Sequence, residues 1–213
     1  NRNMLFVLKN MPTILFLVIF IGFSLLDSRF FTLVNFENIL RSSAFVGIIA
    51  IGMTFVLLTG GIDLSVGSGM YIAGAILGLM LEKEYNLWLT LMVALLAGLL
   101  LGFLNSFLIT RLKITPFMAT LGTLTAGRGF GMFFTESRAL TFPDSIKFGA
   151  VKLFGFFPLP VFIFFVVMLI ALIILLFTPL GRQIYAIGND IEAAKKAGLK
   201  TDRLTAFTYV VSG

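Results

Sequence analysis

The sequence predicts an all-α fold: a polytopic bundle of transmembrane helices with an interrupted helix pair and a short cytoplasmic coupling helix. Three observations carry the prediction. Hydrophobic residues fill 59% of the 213 positions and charged residues only 12%, where a soluble domain holds roughly 45–50% and about 25%. The charges fall in short clusters, with apolar runs of membrane-spanning length between them, and the mean hydropathy is +1.05. The runs are continuously apolar, without the alternation of a membrane barrel, so helices are the spans that can satisfy their own backbone.

Six apolar segments are predicted to be full helices. The first covers about 11–26. Arg2 and Lys9 precede it, as in a signal peptide, but no A-x-A-like cleavage site follows Leu26, so a retained helix is expected. The second (about 43–59) and third (about 66–81) are short and flank a glycine-rich interruption. The fourth covers about 87–109, the fifth about 116–135 and the sixth about 159–178. Pro116 and Pro160 stand at helix starts, where the missing N–H costs nothing. A seventh begins near Leu204 and stops at Gly213, too short for a span of about 20 residues. The chain therefore reads as a single transmembrane domain, 1–213, whose C-terminal part is missing.

Lys and Arg set the orientation, because they collect in cytoplasmic loops. With the N-terminus inside and every segment crossing, Arg2, Lys9, Arg111, Lys113, Arg182, Lys195, Lys196, Lys200 and Arg203 fall inside. Arg29, Arg41, Lys83, Arg138, Lys147 and Lys152 fall outside. The contrast is sharpest between Arg111-Leu112-Lys113 and Glu82-Lys83-Glu84. The spacings Gly74-x-x-x-Gly78, Gly98-x-x-x-Gly102 and Gly127-x-x-x-Gly131 put small residues on helix faces and permit close helix contact.

Absences narrow the chemistry. With no Cys and no His, disulfides, thiolate nucleophiles, the usual zinc sites and Ser-His-Asp triads are excluded. No metal or cofactor is expected. The net charge of +6 does not signal nucleic acid, since no basic stretch is interleaved with aromatics. No G-x-x-x-x-G-K-[ST] loop is present to cradle ATP. Gly127-Arg128-Gly129-Phe130-Gly131 lies inside an apolar helix with no preceding strand and is no dinucleotide loop.

Three polar features remain. Gly60-Gly61-Ile62-Asp63-Leu64-Ser65-Val66-Gly67-Ser68-Gly69 interrupts an apolar stretch, and discontinuous helices near the midplane can build substrate sites. Asp63, Ser65 and Ser68 offer the donors and acceptors that a polar solute needs, and a carboxylate near hydrocarbon is costly without a role or a partner. The same residues also fit a tight cytoplasmic turn, with Asp63 capping the next helix, or a purely structural break. In the second feature, residues 115–129, Thr120, Thr123 and Thr125 can bond across helices or to their own backbone. There Arg128 either snorkels outward or is a buried cation facing a pathway, with Asp63 as one candidate partner. In the third, residues 185–199, Asn189 and Glu192 are spaced as a capping box. Asp190 and Glu192 suit a helix N-terminus, Lys195 and Lys196 a C-terminus, and Gly198 a left-handed end. A helix over 190–197 is predicted in a cytoplasmic loop, with Ile191, Ala194 and Ala197 forming a small apolar face. That face fits docking into another protein better than resting on lipid, where it would bury little area.

The stretches GGIDLSVGS (60–68), TPFMATLGTLTAGRG (115–129) and GRQIYAIGNDIEAAKKAGLKTDR (181–203), in that order, resemble the permeases of ribose-type ABC sugar importers. These belong to the wider family that includes branched-chain amino-acid permeases. The resemblance implies a multi-pass protein of the bacterial inner membrane that moves a sugar by alternating access. It implies ATPase subunits in the cytoplasm, a periplasmic sugar-binding protein, and a second permease copy, identical or not. It places Gly60, Gly61, Asp63, Ser65, Gly67 and Ser68 along the pathway or its gate, to which the polar helix adds Thr120, Thr123 and Arg128 as candidates. It places Gly188, Asn189, Asp190, Glu192, Ala193, Ala194 and Gly198 in the segment that docks on the ATPase. An ion-coupled secondary transporter is the main rival, though it would need intramembrane acids or histidines and only Asp63 qualifies.

Overall fold

A computed structural model describes residues 9–141, 151–153 and 157–213. Arg2 and Lys147, used above for orientation, lie outside the described residues, as does the side chain of Lys152. The chain forms two compact units, Asn1–Ser43 and Ala44–Gly213.

In the first unit α1 (Met11–Leu26) has no buried residue. The turn after it is held by rings: Phe20 meets Phe30 and Phe31 edge-on, at 5.2 and 5.7 Å. The next helix, α2 (Leu33–Leu58), starts ten residues earlier than the apolar run predicts. Glu37 and Arg41 ended that run, but they stand one turn apart and pair at 3.6 Å, so both charges sit on a continuing helix. The helix before the glycine break is therefore not short. Its 26 residues reach about 39 Å, enough to cross a bilayer, and Arg41 is not a loop residue.

The second unit holds the rest of α2, then α3 (Val66–Glu82), α4 (Leu87–Thr110), α5 (Pro116–Phe134), a two-residue antiparallel hairpin of β1 (Lys152–Leu153) and β2 (Phe157–Pro158), and α6 (Leu159–Phe177). α7 (Pro179–Asn189), α8 (Ile191–Lys196) and α9 (Thr201–Ser212) follow. Among the described residues, α2, α4 and α6 are long and apolar enough to cross a membrane, while α1 and α3 are apolar but shorter. α5 has 19 residues but carries the threonines and Arg128. Exposed Trp88, Leu100, Phe133 and Phe177, each at least 70% accessible, form an outer surface that suits lipid and not water.

Glycine spacing sets the packing. Side chains at Gly98 and Gly102 would strike the backbone of α9 near Tyr209–Gly213, and at Gly127 and Gly131 they would strike Ser68 and Tyr71 of α3. Two of the three small-residue pairs thus mark helix contacts. Gly74 of the third faces open space. Arg138 forks onto Glu82 with two 2.9 Å bonds, tying the end of α3 to the chain beyond α5. The Glu82 carboxylate holds the Arg138 guanidinium above its ordinary pKa, by hydrogen bonding first and by charge second.

The stretch 181–189 is the second departure. It is part of α7, where the sequence reading had a basic loop. Pro179 occupies the first turn, and Thr178 caps the helix by accepting from the Gly181 N–H at 3.3 Å. Ile184 and Ile187 turn inward, 0% and 2% accessible, and Arg182 and Tyr185 turn outward. Ile184 packs with Phe55, Ala171 and Leu175. The amphipathic period of Gly181, Ile184 and Ile187, not the charge of Arg182, decides the structure here.

Candidate functional site

The glycine break is built from local rules. Gly60 ends α2 in the left-handed region (φ +75°). The Gly60 N–H donates to the Leu57 carbonyl at 3.0 Å and the Gly61 N–H to Val56 at 3.1 Å, which closes the end of α2 in a Schellman turn. A side chain at Gly61 would collide with the Tyr209 hydroxyl. Two residues on, Asp63 Oδ1 accepts from the Ser65 N–H at 2.9 Å and the Ser65 hydroxyl at 2.6 Å. α3 then begins at Val66. Asp63 does act as a turn-former ahead of α3, as one of the three readings had it.

The turn is not at a surface. Asp63 and Ser65 are each 1% accessible and Asn105 is 0%. Asn105 Nδ2 donates to Ser65 Oγ at 2.6 Å, and Thr123 Oγ1 donates to Asn105 Oδ1 at 2.7 Å. One buried chain, Thr123–Asn105–Ser65–Asp63, therefore joins α5, α4 and the break. Ser68 Oγ donates to the Ser65 carbonyl at 2.7 Å, and Thr120 Oγ1 reaches the Ile62 carbonyl at 3.3 Å. Asn105 lies five residues before the end of α4 and Thr123 seven after the start of α5, about 8–10 Å along each helix axis. The break is inset by that much from the ends of its neighbours. Among the described residues Asp63 Oδ2 has no hydrogen-bond partner, although its depth makes an unpaired oxygen costly.

Gly67 and Gly60 are exposed and lie beside the chain. Arg128 is not part of it. It is exposed, it makes no ion pair with Asp63, and Thr120, Thr123 and Gly127 occupy the buried face of α5. The reason is helical phase: Arg128 falls about 100° round the helix from that face.

The second cluster surrounds α8. Asp190, not Asn189, is the cap: its Oδ1 accepts from the Glu192 N–H at 2.9 Å and the Ala193 N–H at 3.0 Å. Asn189 is the last residue of α7, so the capping box does not form and Glu192 instead accepts from Lys195 Nζ at 2.8 Å. That bond, and then the charge of Glu192, raise the Lys195 pKa above its ordinary 10.5. Gly198 (φ +85°) ends the helix as predicted, with Leu199 N–H donating to Ala194 and Gly198 N–H to Lys195. The helix is six residues long, shorter than the predicted eight. Ala194 does not face outward: it packs with Ile187 and Leu204. Ile191, Ala193 and Ala197 stay exposed beside Glu192 and Lys196.

The two clusters touch. A side chain at Gly188 would strike the carbonyl of Leu58, the last residue of α2, two residues before Gly60. Tyr209 of α9, fully buried, donates its hydroxyl to the Ile62 carbonyl at 3.4 Å, and Thr208 stands 3.5 Å from Thr59. Asn105 and Tyr209 escaped the sequence reading. Asn105 left a signal: it is a carboxamide inside a 24-residue apolar span, costly there without a partner. Tyr209 left none, since nothing local says which turn it meets.

Residues 35–213 match the family described as branched-chain amino acid transport system / permease component. The chain belongs to that permease family. It is 37% identical to the ribose import permease protein RbsC of Haemophilus influenzae over 213 residues, 98% of this chain and 66% of that protein. It is 43% identical to the galactofuranose transporter permease protein YtfT of Escherichia coli over 178 residues, 83% of this chain and 52% of that one. With the autoinducer 2 import system permease protein LsrC of Yersinia enterocolitica it shares 33% over 199 residues, 92% and 55% of the two chains. The chain thus spans about half to two-thirds of the length of these curated relatives. No solved structure matches it. Family membership and the apolar helices make this an all-α, multi-pass membrane permease component.

Proposed function

We propose that this chain is the membrane-spanning permease subunit of an ATP-driven importer that moves a monosaccharide across the bacterial inner membrane by alternating access, with its N-terminus in the cytoplasm. ATP hydrolysis belongs to a separate cytoplasmic ATPase, a periplasmic binding protein delivers the sugar, and a second permease copy completes the pathway. Relatives named for ribose and galactofuranose import support a sugar as the solute. The observation that carries the reading is the buried chain Asp63–Ser65–Asn105–Thr123, set at a helix break and linked to the α7–α8 segment through Gly188 and Leu58.

In the state described the chain of polar groups is sealed. Opening the seam between the break and α5 would free Asp63, Ser65, Ser68, Thr120 and Thr123 to exchange hydrogen bonds with sugar hydroxyls. Gly60 and Gly61 supply the unwound backbone, and Gly67 keeps the first turn of α3 slim. Arg128 stands apart from this cluster and takes no role in it. On the inner side Asp190, Glu192, Ala193, Ala194 and Gly198 shape the element that meets the ATPase, with Asn189 joining it to Gly188. A push on α8 reaches Leu58 through Gly188, so the two states differ in contacts at the break, as coupling requires.

The test is sugar uptake in cells without their own importer, with an ATPase and a periplasmic binding protein of a sugar importer co-expressed. Uptake should stop on ATP depletion and survive an uncoupler. The reverse pattern would favour an ion-coupled transporter, for which the unpaired Asp63 Oδ2 is the one feature in support.

A further inference from the structure

The end of α4 and the α8–α9 connection enclose a cleft of about 730 Å³ that the transport reading does not use. Its rim is basic: Arg111, Lys195, Lys200 and Arg203 line it. One side is apolar, with exposed Phe103 and Phe107 beside Leu199 and Ala206, while its most buried lining residues are Ser106, Thr110 and Thr201. The nearby acids are already engaged. Glu192 holds Lys195, and Asp202, which also lines the cleft, is paired at 2.8 Å with Lys113. The side chains of Arg111, Lys200 and Arg203 are exposed and have no partner among the described residues. Like charges gathered in one cleft repel, and an anion placed among them relieves that cost.

The apolar side selects the kind of anion. Phe103 lies seven residues before the end of α4, about 10 Å along the axis, and α4 is a span by length and apolarity. The exposed apolar side of the cleft therefore runs from the basic rim along the apolar length of α4. A free anion has no use for such a side, whereas a molecule with a phosphate at one end and an alkyl chain at the other matches both parts. Basic pockets between spans at the membrane face are suited to anionic headgroups.

We propose that this cleft binds one anionic phospholipid, its phosphate held by Arg111, Lys200 and Arg203 and an acyl chain laid along Phe103 and Phe107. The inference needs only a membrane-embedded bundle and is independent of what the protein transports.

The test is native mass spectrometry of the protein in neutral detergent, titrated with phosphatidylglycerol, with phosphatidylcholine and with glycerol 3-phosphate. Phosphatidylglycerol should be retained over phosphatidylcholine, and glycerol 3-phosphate should compete poorly. Each of Arg111→Gln, Lys200→Gln and Arg203→Gln should weaken retention about fivefold, and the triple variant roughly a hundredfold. Phe103→Ala with Phe107→Ala should weaken it too, while Lys83→Gln at the far end of the bundle should not. Thermal unfolding in the same detergent, unchanged in the triple variant, would show that the loss is not misfolding. Wild-type retention by the triple variant would overturn the proposal. So would competition by glycerol 3-phosphate equal to that of the lipid, which would leave a phosphate site only. A triple variant that keeps its lipid but no longer co-purifies with the ATPase would also overturn it, assigning these cations to a protein partner.

Discussion

The break at Gly60–Ser65 and the segment Asp190–Gly198 use the same local parts in opposite surroundings. Each has a glycine with positive φ closing a helix, +75° at Gly60 and +85° at Gly198. Each has an aspartate whose Oδ1 accepts a 2.9 Å bond from the N–H two residues on, Ser65 in one case and Glu192 in the other. Asp63 is 1% accessible, whereas Asp190 is exposed. At the exposed site water can replace any lost partner, so the parts define shape and little else. At the buried site no replacement exists, and the turn recruits Asn105 from α4, itself held by Thr123 of α5, while Asp63 Oδ2 stays unpaired among the described residues. Burial turns a generic turn motif into a tertiary junction.

The comparison breaks most directly at Asn105. Asn105→Ala removes the donor to Ser65 and the acceptor for Thr123; the Thr123 hydroxyl keeps the Ala119 and Thr120 carbonyls, but the buried Ser65 oxygen loses its donor, which should cost about 1–3 kcal/mol. Asp190→Ala removes an exposed cap and should cost about 1 kcal/mol, confined to a six-residue helix. Thermal unfolding in detergent should therefore fall clearly for the first and hardly move for the second. Equal losses would show that burial is not what separates the two sites.

The link between the sites comes next. Gly188→Leu puts a side chain where the Leu58 carbonyl lies. Because Gly188 is exposed on its other side, α7 can tilt away and the protein should still insert. Uptake should then drop at least tenfold at near-normal abundance, while ATPase activity persists. Uptake at the wild-type rate would remove Gly188–Leu58 as the route from α8 to the break.

The parts of this molecule legible in sequence are those set by short-range rules. Apolar length located the helices, Pro116 and Pro160 marked starts, Gly60 and Gly198 marked ends, and Asp63 announced a turn. Reading charge as loop failed twice, at Glu37–Arg41 inside α2 and at Arg182 inside α7. In both places a pairing or an amphipathic face, not mean polarity, decided the structure. The direction of Ala194 was misread because an apolar residue on a short helix serves an outer partner or the chain's own core equally well, and only Ile187 and Leu204 decide. The partners of the buried chain were the least legible. The separation from Ser65 to Asn105 is 40 residues, and no local rule reports a contact across it.

Tyr209 sharpens the comparison with a smaller effect. Tyr209→Phe keeps the ring against Gly61 and removes only the hydroxyl bonded to Ile62. At 3.4 Å that bond is long, and its loss should cost no more than about 0.5–1.5 kcal/mol. The Ile62 carbonyl also keeps Thr120. A loss well above that range would mean that Tyr209 anchors the break as firmly as Asn105 does.

The smallest effect belongs to Lys195–Glu192. Both side chains are about half or more exposed, where ion pairs are screened and contribute little. Lys195→Gln should move unfolding at neutral pH only slightly. The sign of its pH dependence is fixed: a lysine whose folded pKa is raised contributes fully below its ordinary 10.5 and loses the contribution as pH rises through the folded value. Any difference between wild type and variant should therefore be small, present at neutral pH, and gone once the pH has risen through the folded value. A clear loss at neutral pH would give this exposed segment the energetic weight of the buried break, and the contrast drawn from Asp63 and Asp190 would fail.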